Sequence, residues 1–180
     1  MARPLKLSLQ ALALGAVVGL LALLVWRITH QPHPVKLGGP APSFSLDRLD
    51  GNGKIELAAL RGKAVVLNFW ASWCGPCKTE SQALQKAYLE YRDKGVVVLG
   101  VDYHDVVSDA RGFVAKRGLT YPIVRDRTGL VSDRYALTGV PETFFVNREG
   151  RLVGYHIEGP IDQGENAAKF RAGVKAALDS

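Results

Sequence analysis

Hydrophobic and polar positions divide the chain into three stretches. Residues 7–26 read LSLQALALGAVVGLLALLVW and carry no charge. At ~1.5 Å rise per residue, a helix of that length spans a hydrocarbon core ~30 Å thick. The unbroken apolar run ends on bulky Leu24, Val25 and Trp26, and no Ala-x-Ala pattern follows it. A cleaved signal has a shorter apolar region and a small-residue cleavage site, so a retained single-pass anchor is predicted. It follows a short N-terminus, residues 1–6, which is cytoplasmic if the chemistry of the domain lies outside the cytoplasm. Residues 27–42 hold Pro32, Pro34, Pro40, Pro42 and the pair Gly38–Gly39, a composition that reads as a semi-extended linker. His30 and His33 within it read as solvated linker histidines. Residues 43–180 carry the periodicities of a folded domain.

Within that domain, residues 44–46 and 54–57 flank Asp50-Gly51-Asn52-Gly53 and predict a hairpin. The apolar runs AVVLNF at 64–69 and VVVLGV at 96–101 predict buried strands. Between them Ala83, Leu84, Ala87, Tyr88 and Tyr91 recur at helical spacing, which predicts a helix over 79–91 closed at Lys94-Gly95. A second helix is expected over 108–117, capped by Ser108, then a short strand at 121–124 and a short helix at 130–136. Residues 143–146 and 152–157 alternate around Asn147-Arg148-Glu149-Gly150 as an antiparallel hairpin, and a last helix covers 163–178. This order predicts an α/β domain with a central mixed sheet flanked by helices. Asp102, Tyr103, His104 and Asp105 are expected in the loop after the second buried strand, with His104 a minor candidate near a site.

Charge alters the picture little. The net charge is +6, but Arg3, Lys6, Arg27 and Lys36 supply +4, and residues 38–180 hold 19 basic and 17 acidic residues. The charges are dispersed without a basic stripe, so no nucleic-acid partner is expected. Basic residues flank the apolar run on both sides, which leaves orientation to the chemistry.

The chemistry lies in NFWASWCGPCKTE, residues 68–80, which holds both cysteines of the chain. Two cysteines supply half of a usual zinc set, and His104 and His156 lie on separate elements, so no metal site is expected. A purely structural bridge across two residues constrains the unfolded chain little. A redox couple explains the rest of the stretch. Residues i and i+3 meet in the first turn of a helix, where unsatisfied N–H groups and the dipole favour thiolate over thiol. Cys74, at the cap, is the expected attacking sulfur, and Cys77, one turn in, resolves the mixed disulfide. Pro76 suits a helix start, where its missing N–H costs little. No cofactor beyond the Cys74–Cys77 disulfide is implied. Trp73, beside Cys74, is a candidate for client contact with Gly75 and Pro76; Trp70 reads as core.

The segments N-F-W-A-S-W-C-G-P-C at 68–77 and G-V-P-E-T-F at 139–144, with the order of elements, resemble the membrane-anchored TlpA/ResA/DsbE (CcmG) branch of the thioredoxin family. The resemblance implies a thioredoxin-like fold with an N-terminal hairpin extension and one N-terminal transmembrane helix. It makes Pro141 a cis-proline facing the disulfide, with Val140 offering backbone groups to a client strand, and places Glu142 at the groove rim. Where cytosolic thioredoxins carry a buried aspartate, this chain has Asn68, and Glu80, three residues after Cys77, takes the place of the proton-handling group. The Gly75-Pro76 dipeptide is that of thioredoxin, at ~−270 mV against ~−120 mV for DsbA, and tilts the couple towards donation. The family implies a reductant of apocytochrome c cysteines on the extracytoplasmic side of the cell membrane, supplied by a membrane thiol electron carrier. General exchange on secreted proteins, and copper handling through Cys74, Cys77 and a histidine, remain open at this point.

Overall fold

The computed structural model describes residues 3–29 and 35–180, with side chains described from 12 to 26 and from 35 onward. Two compact units result, residues 1–33 and 34–180. The first contains helix α1, Arg3–Thr29, whose Leu12, Leu14, Leu20 and Leu23 are exposed. Among the described residues no helix is long and apolar enough to cross a membrane. Residues 7–11 of the expected anchor lie outside those whose side chains are described, as do His30 and His33 of the expected linker.

The second unit is built on five strands. They are β3 (Ala64–Trp70), β4 (Val96–Tyr103), β5 (Ile123–Asp126), β6 (Glu142–Val146) and β7 (Leu152–Glu158). Their spatial order is β5-β4-β3-β6-β7, with β3, β4 and β5 parallel and β6 and β7 antiparallel. The sheet is mixed, as the order of elements predicted. Helices α2 (Gly75–Tyr91) and α3 (Val107–Arg117) join β3 to β4 and β4 to β5. Both connections step the same way across the sheet, so right-handed crossovers place both helices on one face. Helix α5 (Asn166–Asp179) joins them there through Phe170, Val174 and Ala177. The other face is covered by Val131 of α4 (Leu130–Arg134), by Tyr135, and by Phe44 and Leu57 around the hairpin of β1 (Ser45–Asp47) and β2 (Lys54–Glu56).

Strand β3 is buried along its whole length. Alternation sends Val65, Leu67 and Phe69 to the α4 face, and Ala64, Val66 and Trp70 to the face of α2, α3 and α5. Asn68 follows that second set and is the polar residue of an otherwise apolar strand.

Several boundaries differ from expectation. The linker does not run freely to residue 42: Gly38 N–H donates to the Leu152 carbonyl, Ala41 N–H to the Gly150 carbonyl, and Pro40 bridges Arg151. These residues extend the domain past β7. Helix α2 begins four residues before the periodic stretch, because Cys74 caps it and Pro76 occupies its first turn. Ser108 does not cap α3; the cap position is Val106, and the Ser108 hydroxyl bonds Asp109. Asp102 and Tyr103 belong to β4 rather than to a loop.

Candidate active site

The motif sits where β3 leaves the sheet and α2 begins. Cys74 has extended backbone angles at the N-cap, and Cys77 N–H donates to its Sγ over 3.0 Å. Cys74 and Cys77 form a disulfide. The sulfur carrying the helix-terminal N–H contact is the one whose thiolate the helix N-terminus favours on reduction. Both cysteines are buried, Cys74 at 5% exposure and Cys77 at 2%, so Cys74 is the more accessible. Trp73 beside it is 56% exposed, whereas Trp70 is buried and stacked on Phe113 at 4.7 Å. Gly75 and Pro76 form the exposed first turn of α2.

Across from the disulfide, Val140–Pro141 is a cis peptide bond, as the resemblance implied. The Val140 carbonyl oxygen lies 3.5 Å from Cys74 Sγ. In the disulfide that sulfur has no proton, and only a reduced Cys74 can donate to this oxygen.

Behind the disulfide stands Glu80, one helical turn after Cys77 on the buried face of α2. Its residue is 0% exposed. Oε1 accepts from Asn68 Nδ2 at 2.9 Å, and Oε2 accepts from the Ile161 backbone N–H at 2.9 Å. Burial pushes its pKa up to about 7, outweighing these two donors, and Asp162 adds a small push in the same direction. Asn68 also donates to Thr143 Oγ1 at 3.0 Å, so β3, β6 and α2 are tied at one buried amide. A carboxyl that titrates near neutrality behind a resolving cysteine can take and return a proton.

Glu142 is not at a groove rim. It is 1% exposed and its carboxylate points inward. Oε1 accepts from Thr138 N–H, Thr138 Oγ1 and Gly139 N–H at 2.7–2.9 Å, and Oε2 meets His156 Nε2 at 2.6 Å. Burial raises its pKa, but the bonds from His156, Thr138 and Gly139 outweigh that and hold it below the usual carboxylate range. A glutamate following Pro141 reads as a loop residue in sequence. It is the first residue of β6, so alternation turns it into the domain.

The motif loop has a second support. The Asp105 carboxylate accepts from the Ser72 backbone N–H, the Ser72 hydroxyl and the Val106 N–H. Asp102 is buried on β4 against Arg125 of β5, 3.5 Å away. Burial and the Asp105 charge push its pKa up to about 7 against the pull of Arg125. His104 packs its ring on Tyr103 and against Gly129. Among the described residues there is no group of three or more His, Cys, Asp or Glu that could hold a metal ion.

Sequence reasoning missed His156, Thr138, Thr143, Ser72 and the Ile161 amide as supports around the site. One signal was present: an asparagine inside AVVLNFW, which must find buried partners.

Residues 37–154 match the AhpC/TSA family. The chain is 37% identical over 128 residues to the thiol-disulfide oxidoreductase ResA of Halalkalibacterium halodurans, covering 71% of this chain and 72% of that protein. It is 38% identical over 117 residues to ResA of Bacillus subtilis, covering 64% of each. A solved structure from Chlorobium tepidum, described as a thiol:disulfide interchange protein DsbE, superposes with a TM-score of 0.70 at 28% identity. The match covers 78% of this chain and 99% of that one.

Proposed function

Since the chain belongs to the AhpC/TSA family and is a thiol-disulfide oxidoreductase of the ResA/DsbE type, we propose that it is a membrane-anchored, extracytoplasmic reductant of apocytochrome c cysteines. The observation that carries the redox mechanism is the placement of the Cys74–Cys77 disulfide between two groups. The Val140–Pro141 backbone lies on its outer side, and the buried Glu80 carboxyl lies behind it.

The reduced chain acts first through the Cys74 thiolate, which attacks one sulfur of the client disulfide. That S–S bond breaks, a mixed disulfide to Cys74 forms, and the departing client thiolate takes a proton. Glu80 accepts the proton of the Cys77 thiol. The resulting thiolate attacks Cys74 Sγ, restores the Cys74–Cys77 disulfide and frees the second client thiol. Two electrons have passed to the client, and a membrane thiol electron carrier returns them. The direction rests on the Gly75-Pro76 dipeptide, and the client on the resemblance in residues 68–77 and 139–144. Val140 offers backbone groups for a client segment to pair with by edge addition.

The test is trapping with Cys77→Ser in the full chain. Without the resolving thiol, Cys74 accumulates mixed disulfides whose partners are identified by mass. Apocytochromes bearing CxxCH are the expected partners. A broad set of secreted proteins without them replaces this reading by general exchange, and no adduct removes Cys74 as the nucleophile.

A further inference from the structure

The Glu142 carboxylate is buried, and a buried charge is costly unless it is paired and hydrogen-bonded. Its donors all belong to two places. Three hydrogen bonds to Oε1 come from Thr138 and Gly139, in the irregular segment that leads to Val140 and Pro141. The fourth, to Oε2, comes from His156 on β7. The His156 ring is stacked parallel on Phe144 at 4.2 Å and 12°, so its direction is fixed. On the far side of the same segment, Gly159 N–H donates to the Pro141 carbonyl. Residues 138–141 are therefore held on one side by the Glu142 carboxylate, which His156 orients, and on the other by Gly159. Held so, they place the Val140 carbonyl over Cys74 Sγ.

We propose that Glu142 and His156 are positioning residues that set recognition of polypeptide disulfides, by holding the Val140–Pro141 backbone where a client segment pairs with it. This deepens the proposed function and rests on its reading of Val140 as the client-pairing edge. A small dithiol reaches the Cys74–Cys77 disulfide without that edge, and a polypeptide does not. Loss of the Glu142–His156 contact therefore separates the two kinds of substrate, which damage to the cysteines or to the helix N-terminus does not.

The full chain is assayed with two probes: dithiothreitol, which reduces the Cys74–Cys77 disulfide, and a synthetic peptide whose Cys-x-x-Cys disulfide the reduced chain reduces. His156→Phe keeps the stack on Phe144 and removes the donor. It is expected to raise KM for the peptide about tenfold, a loss of about 1.4 kcal/mol of binding, and to leave the dithiothreitol rate within about twofold. His156→Gln returns an N–H donor and is expected to restore the peptide KM. Should His156→Phe fail to fold, Glu142→Gln, which keeps the side chain's shape, carries the same expectation of a raised peptide KM. The proposal is overturned if peptide and dithiothreitol rates fall together, if the peptide KM does not move, or if folded His156→Gln behaves as His156→Phe does. A wild-type chain that exchanges with dithiothreitol and with no peptide disulfide overturns the reading beneath and this proposal with it. A wild type that reduces the peptide, with variants that do so equally well, overturns the proposal alone.

Discussion

In the proposed mechanism Glu80 handles the proton of the resolving cysteine. Its ordinary value is 4.5, and burial lifts it to about 7 in the folded, oxidised domain. The sign follows from which state holds the proton more tightly. The folded state does, so the stability tied to Glu80 is fully present below about 4.5 and is lost as pH rises through about 7. The shift corresponds to a loss on the order of 3 kcal/mol across that window. Glu80→Gln cannot ionise. It gives up one of two hydrogen bonds, since its amide nitrogen cannot accept from Ile161 N–H, at a cost of about 1 kcal/mol. The urea midpoint of the oxidised variant is therefore expected to fall less from pH 5 to 8 than the parent's, the remaining slope coming from Asp102. The parent falls more steeply over the same range, so the variant is already the more stable at pH 7. Exchange responds in the opposite sense, because the carboxylate is the form that accepts the Cys77 proton. Thiol–disulfide exchange by Glu80→Gln is expected to slow by up to about 10²-fold near pH 7. Rates that match the parent from pH 5 to 9 would remove Glu80 from the proton path.

At the scale of elements, α5 locks the sheet edge by close approach. A Cβ on Gly173 of α5 would collide with the Phe145 ring of β6, and one on Gly154 of β7 would stand 3.1 Å from the Gly173 Cα. Gly154 also has φ +69°, a backbone that side chains rarely adopt. Gly173→Ala gains about 1 kcal/mol of helix propensity and still is expected to destabilise the domain. Phe145 is buried on all sides and cannot yield, and overpacking of this kind costs about 1–3 kcal/mol. A urea titration reads this as a lowered midpoint at unchanged slope; an unchanged or raised midpoint would show that α5 shifts freely.

The same scale explains what could be read in the sequence. Strands β3, β4, β6 and β7 were legible within two residues, because strands buried on both faces read as apolar runs and hairpins alternate. Strand β5 starts at Ile123, two residues later than expected, after Tyr121-Pro122, since proline gives the ladder no donor. The first turn of α2 was invisible to periodicity, being Gly75-Pro76-Cys77-Lys78, and only its capping sulfur reveals it. The cysteines were legible from their spacing at a helix start, and Glu80 from the family resemblance, which its place on the same helix supports. The Glu142–His156 pair and the Asp105–Ser72 bonds join residues 14 and 33 apart, across elements whose register the sequence does not state.

At the scale of the whole molecule, the question is where the redox domain works. The charge imbalance lies outside the domain, around the apolar run, and basic residues on both sides of that run leave its direction open. The proposed reductant role argues for a direction. A reductant outside the cytoplasm works against oxidising surroundings, needs a dedicated electron source, and gains from being held near it. Tethering converts each encounter with a membrane carrier into a near-intramolecular event with an effective concentration up to about millimolar. Residues 7–26 have the length and lack of charge that such a tether requires. The full chain is accordingly expected in the membrane fraction and to resist extraction by alkaline carbonate. After mild reduction of intact cells, a membrane-impermeant maleimide is expected to label Cys74 without lysis. Recovery in the soluble fraction would remove the anchor from the proposal. Labelling that needs lysis would place the disulfide on the cytoplasmic side, where a reducing thiol pool leaves a tethered reductant without a purpose.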